Sequence, residues 1–247
     1  MQEQLKLFVV AHKKTENVPA GRTLIGVGAD GANIGADCSD GTGDNISSKN
    51  ASYCELTALY WIWKNTKEEY VGLEHYRRFF FTRGQLFARP MRRESMLKVL
   101  ASGKIIVPKP HKCPSTVAAD YAENHSASDL ELCRDIISSR CPQYLGAFDA
   151  VMNSSSYSLA NMFVMPMPLM NDYCGWLFPI LFEAEKHIDI CAKDSYQRRV
   201  FGFLAERLFN VWLAYKKVDV CYAPVYNVGD CPILVRIKGK LSQLRRK

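Results

Sequence analysis

Glu74-His75-Tyr76-Arg77-Arg78 puts a carboxylate, an imidazole, a phenol and two guanidinium groups into consecutive positions of a 247-residue chain. They follow directly on Tyr70-Val71-Gly72-Leu73, an apolar run that reads as a short buried strand. A strand end is rigid, and in an open α/β sheet ligands sit beyond the carboxyl ends of the strands. Two adjacent arginines can grip phosphate oxygens bidentately. The segment therefore reads as a phosphate-facing strand end, with an exposed edge carrying surface ion pairs as the plain alternative. Other chemistries lack their signatures. GxSxG, HExxH and GxxxxGK[ST] are absent, and Gly26-x-Gly28 is not read as a phosphate-binding fingerprint. The nine cysteines include no CxxC pair, which argues against a structural zinc site and for reduced, mostly buried thiols.

The elements that must hold these groups follow from periodicity. Leu5 to Ala11 is an apolar run bounded by His12-Lys13-Lys14 and reads as a buried first strand. Residues 26–50 have loop composition, rich in Gly, Asp, Asn and Ser. A helix is expected from Ser52, with Glu55 completing a capping box. Leu56, Leu59, Tyr60 and Trp63 give that helix one apolar face. Core packing is the expected role of its aromatic residues, ahead of stacking on a ligand. Lys104–Val107 and Asn161–Met165 read as strands, each stopped by a proline. Ser128 with Glu131 reads as a second capping box. Two longer helices follow, one through Tyr173, Leu177 and Ala184 with Pro179 inside it, the other through Val200, Leu204 and Val211. Residues 218–225 read as a last strand. Strands alternating with helices predict an α/β domain around a mainly parallel sheet flanked by helices.

Three segments carry a resemblance: Gly43-Asp44-Asn45-Ile46-Ser47, Tyr53-Cys54-Glu55-Leu56-Thr57-Ala58-Leu59-Tyr60-Trp61, and the His75-Tyr76-Arg77-Arg78 strand end. They resemble the capsular-polysaccharide glycosyltransferase family of bacteria. The likeness runs on through Tyr121, His125 and Asp129, then Asn161 to Met165, and Gln197 to Leu208, and covers residues 5–225. Residues 27–42 are richer in Gly and Asp than in relatives, and Glu74 stands where they carry a small residue or cysteine. The resemblance implies a GT-A-like single domain over residues 1–235, followed by a basic tail at 236–247. It implies transfer of a hexosyl unit, galactofuranose among the candidates, from a UDP-sugar to a growing cell-surface polysaccharide or lipid-linked glycan, with a non-catalytic glycan- or nucleotide-binding protein of the same fold as the alternative. It also implies donor-binding roles for His12, Asp44, Asn45, Arg77, Arg78, His125, Asn161 and Gln197. An acceptor hydroxyl must lose a proton, and the candidate catalytic residues are Glu206, Asp129, Asp149, Glu74 and His75. A DxD metal motif is expected at such a strand end, but one glutamate beside two arginines is a poor cage for a hard cation. No metal ligands are assigned; Mg²⁺ or Mn²⁺ held by Asp44, Asp30 or Asp37 is the alternative.

Composition fits a globular protein, at 48% hydrophobic and 23% charged. The net charge of +7 is concentrated from Arg236 onward, where six basic residues meet no acid. That tail fits peripheral attachment to an anionic membrane surface, or a plain solvated end. Nucleic acid is not an expected partner, because no aromatic-interleaved basic patch accompanies the tail. A signal peptide is not expected, and no apolar run approaches the ~18 residues of a membrane span. The expected location is cytoplasmic, peripheral on the inner face of the plasma membrane.

Overall fold

Leu5–Ala11 (β1) is buried on both faces, as an apolar strand in the middle of a covered sheet must be. The computed structural model describes residues 5–15, 18–31, 33–83 and 88–227. β1 pairs in parallel with Thr23–Gly26 (β2), which pairs in parallel with Cys38–Ser39 (β3). On its other side β1 pairs in parallel with Tyr70–His75 (β4). The later strands are Arg78–Arg83 (β5), Ala88–Pro90 (β6), Ile105–Pro108 (β7), His111–Lys112 (β8), Ser156–Tyr157 (β9), Phe163–Pro166 (β10), Val220–Ala223 (β11) and Val225–Asn227 (β12). The main sheet runs β11-β7-β10-β4-β1-β2-β3. It is parallel except at β10, which lies antiparallel to both β4 and β7. β5 leaves β4 antiparallel and is flanked by β6 and β12. The α/β class and the mainly parallel sheet are as expected.

The helices are Gly28–Gly31 (α1), Asn50–Tyr53 (α2), Leu56–Asn65 (α3), Arg93–Ala101 (α4), Val117–Asn124 (α5), Ala127–Arg140 (α6), Leu145–Asn153 (α7), Met167–Glu185 (α8) and Val200–Lys216 (α9). Strand alternation divides the core. Phe8, Val10, Val71 and Leu73 face a large apolar layer with α3, α8 and α9, while Leu5, Leu7, Ile106 and Val164 face Met96 and Leu100 of α4. α8 runs through Pro179. Its Asp172 accepts the Trp212 indole N–H at 2.7 Å, tying it to α9.

Three expectations change. The helix expected from Ser52 begins at Asn50 and breaks at Cys54, and Glu55 makes no capping bond. α6 begins after Ser126, and the Ser128 hydroxyl meets the Ser126 hydroxyl at 2.9 Å instead of capping a backbone N–H. Residues 26–50 are not one loop, since they hold α1, β3 and a 3-10 turn at Ser47–Lys49. No helix among the described residues is long and apolar enough to cross a membrane. The basic tail, 236–247, lies outside the described residues.

Candidate active site

After β1 the chain moves to one side through β2 and β3, then returns to β4 on the other side of β1. The crevice between the carboxyl ends of β1 and β4 is thus a topological switch point, where open α/β sheets bind ligands. His12 and Tyr76 lie there. The Tyr76 N–H donates to the Val10 carbonyl at 3.0 Å, and the His12 ring meets the Tyr76 ring edge-on at 5.4 Å. The Arg77 guanidinium and the Lys13 ammonium lie 5.0 and 5.9 Å from the centre of the same ring. Arg78 opens β5 opposite His75, and its Nε donates to Asn227 Oδ1 at 3.3 Å. His12, Arg77 and Arg78 are exposed, and the two arginines give the switch point a cationic lip.

Alternation along β4 sends Glu74 and His75 to opposite faces. Glu74 is fully buried, paired with Arg22 Nε at 2.9 Å and accepting the Phe80 N–H at 2.8 Å. Burial raises its pKa, with Arg22 opposing. The Glu74 carboxylate holds Arg22 and the start of β5.

His75 enters a different group of side chains. It hydrogen-bonds the backbone at Ala160, and the charges of Glu55, Arg78 and Arg199 act on it; burial, the largest effect, lowers its pKa. Glu206 Oε1 accepts the Ala160 N–H at 2.9 Å, and its Oε2 accepts from Arg207 Nη1 at 3.1 Å. Arg207 is anchored in turn by Asp120 at 3.2 Å and the Tyr157 ring at 4.6 Å. Burial pushes the Glu206 carboxyl up to about 7, with Glu55 adding to the rise and Arg207 opposing it. Asn161 Nδ2 donates to Glu55 Oε1 at 2.7 Å and to the Gly202 carbonyl at 3.1 Å. Arg199 Nε reaches Cys54 Sγ at 3.3 Å. The Cys54 thiol is pushed up to about 11, chiefly by burial, so it is no nucleophile at neutral pH.

The backbone around this group is strained. Cys54, Ala160 and Asn161 have φ of 52°, 78° and 46°, three of the four non-glycine residues with positive φ among those described. Such positions cost of order 1–3 kcal/mol each and cluster at functional sites. Here the surroundings hold them. The Cys54 carbonyl accepts from Asn50 Nδ2 at 2.8 Å and from the Thr57 hydroxyl at 3.1 Å, which fixes the break between α2 and α3. His75 Nε2 and Asn161 Oδ1 are buried without a protein partner.

The remaining candidates lie elsewhere. His125 Nδ1 meets Gln197 Oε1 at 3.1 Å, at the junction of α5 and α6. Asp129 is ion-paired with Lys193 at 2.7 Å, and Asp149 with Arg134 at 2.7 Å. Asp44 accepts the Tyr60 hydroxyl at 3.2 Å, and Asn45 Oδ1 accepts the Ser47 N–H at 3.2 Å, so both act in the turn that docks on α3.

Gly31 completes a GxGxxG spacing with Gly26 and Gly28 that the sequence reading set aside; it follows a parallel strand and opens α1. The glycines nonetheless serve the fold. A Cβ on Gly26 would lie 2.1 Å from the Gly31 carbonyl oxygen. The Gly28 N–H, which such loops offer to phosphate, is bonded to the buried Asp40 carboxylate at 3.1 Å. Of the three carboxylates named for a divalent cation, Asp37 and Asp44 have protein partners. Asp37 accepts the Leu24 N–H at 2.7 Å, and the Asp30 side chain lies outside the described residues. Among the described residues no three His, Cys, Asp or Glu converge to hold a metal.

Glu55, Cys54, Arg199 and Ala160 were not singled out by sequence reasoning. Glu55 and Arg199 stand inside the motifs that carried the resemblance, but Glu55 was explained away as a helix cap. Comparison with known proteins gives a family and a fold. The family described as Domain of unknown function (DUF4422) matches residues 6–217. The apo structure of WbbM, a bifunctional glycosyltransferase, superposes with a TM-score of 0.82 at 29% identity over 92% of this chain. The chain spans about half of that protein, 46% of its length. Among curated proteins no sequence matches.

Proposed function

Because this chain belongs to the DUF4422 family and shares the fold of a glycosyltransferase, we propose that it transfers a hexosyl unit, galactofuranose among the candidates, from a UDP-sugar. The acceptor is a growing cell-surface polysaccharide, of capsule or O-antigen type, or a lipid-linked glycan. The carrying observation is the meeting of Glu55, His75, Asn161 and Glu206 under the cations Arg78 and Arg199, beside the β1–β4 switch point.

In this reading the lip of His12, Arg77 and Arg78 receives the donor diphosphate and neutralises the charge that grows on it as the sugar departs. Glu55 takes the proton of the acceptor hydroxyl. Only its Oε1 is engaged by a described hydrogen bond, whereas both oxygens of Glu206 are occupied. Glu206 is then a positioning residue that holds the Ala160–Asn161 turn. His75 Nε2 and Asn161 Oδ1 offer the acceptor hydroxyl its remaining hydrogen-bond partners. Work at the cytoplasmic membrane face, through the tail, belongs to the same proposal.

The test is incubation of the purified chain with UDP-galactofuranose, UDP-galactose and UDP-glucose, with and without lipid-linked acceptor analogues. Transfer, or slow donor hydrolysis, is expected with at least one donor. Neither reaction across the panel would sink the reading.

A further inference from the structure

The cleft at the junction of α5 and α6 takes no part in the chemistry above. Glu123, Asn124 and His125 line one wall, and Lys193, Asp194 and Gln197 the other. Tyr196 stands beside it with 52% of its surface exposed. Its ring lies 5.9 Å from His125, tilted by 21°, and His125 lies on Phe203 at 4.1 Å and 22°. The Arg199 guanidinium sits 5.9 Å from the Tyr196 ring and 5.2 Å from Phe203.

The backbone under this tier is fixed. Asp194 Oδ1 accepts the N–H groups of Tyr196 and Gln197, each at 2.8 Å. Gln197 Nε2 donates to the Asn124 carbonyl at 2.7 Å, joining the two walls. A fixed, exposed aromatic face ringed by carboxylate and amide groups suits a sugar, whose C–H face stacks while its hydroxyls donate and accept. The carboxylates of Glu123 and Asp194 are the wrong sign for a diphosphate.

Arg199 connects the cleft to the chemistry, since its Nε reaches Cys54 Sγ at 3.3 Å while its guanidinium lies beside the Tyr196 ring. Arg199 ends a 3-10 turn at Gln197–Arg199, and Phe203 and Glu206 follow it at i+4 and i+7 on α9.

We propose that this cleft is an acceptor subsite, in which Tyr196 is the platform for a sugar unit of the glycan chain behind the reacting end. The proposal rests on the glycosyl-transfer reading, and it moves His125 and Gln197 from the donor to the acceptor. The experiment uses the full chain, as wild type, Tyr196→Ala and Tyr196→Phe, with galacto- and malto-oligosaccharides of increasing length. In the wild type kcat/KM rises with acceptor length. Tyr196→Ala removes that rise, increasing KM for the longest acceptor about tenfold, the loss of one good contact, and Tyr196→Phe keeps it. An equal loss for the shortest and longest acceptors, or a change confined to the UDP-sugar KM, overturns the subsite. Saturation-transfer NMR with the same oligosaccharides decides the matter without turnover. Ring protons saturated by the wild type but not by Tyr196→Ala support the subsite. No saturation by the wild type overturns it, while absent turnover with every donor overturns the transfer reading alone.

Discussion

Under the proposed reaction Glu55 is the base, and its charge acts on His75, Arg199 and Glu206. Glu55→Gln keeps the Asn161 hydrogen bond and removes the base, so turnover should fall by about 10²–10⁴ in a UDP-release assay. Arg78→Ala should cost about 10²–10³ in kcat, as removal of one charge-stabilising donor does elsewhere. Glu206 makes a prediction about stability instead. Its folded pKa is raised from 4.5 to about 7, so between those values the native state binds more protons than the unfolded chain. The favourable contribution is complete below 4.5 and is lost as pH rises through 7, roughly 3 kcal/mol in all. Thermal melts of the wild type should therefore drop from pH 5 to 8, and Glu206→Gln should flatten that slope. An unchanged slope would remove the buried-carboxylate assignment. Arg78 and Glu206 were legible as candidates in the sequence, but Glu55 was not. Ser52 and Glu55 fit a capping box, and a cap explains a glutamate so economically that no second role is sought. Ala160 carries no mark of its positive φ.

At the scale of elements, what periodicity can see was seen: β1, β4, β10, α8 and α9 stand where apolar spacing put them. Direction is not a property of periodicity, so the antiparallel insertion of β10 was not foreseen. The same holds for the break at Cys54, which depends on Asn50 and Thr57 closing on one carbonyl. The glycine spacing of residues 26–31 marks a backbone contact, not a phosphate loop. Gly26→Ala should destabilise the fold by more than the usual 1–3 kcal/mol of overpacking, because the new Cβ would meet backbone at 2.1 Å. Denaturant titration measures this, and a loss under 1 kcal/mol would mean the turn relaxes freely.

For the whole molecule, the sheet order places one crevice at the β1–β4 switch, and the strained turns of α2–α3 and of residues 160–161 close beside it. Charge adds a second, separate claim. The six basic residues after Val235 should bind anionic vesicles at roughly 1 kcal/mol each. Truncation at Val235 should then abolish co-sedimentation while transfer to a soluble acceptor persists. The central claim is tested most directly by UDP release from UDP-hexoses, measured side by side on the wild type and Glu55→Gln with UDP binding followed by calorimetry. Wild-type turnover, with a loss on the order of a thousandfold in Glu55→Gln at undiminished UDP affinity, is the predicted result. Equal turnover by the two proteins, or none by the wild type with any donor, would contradict it.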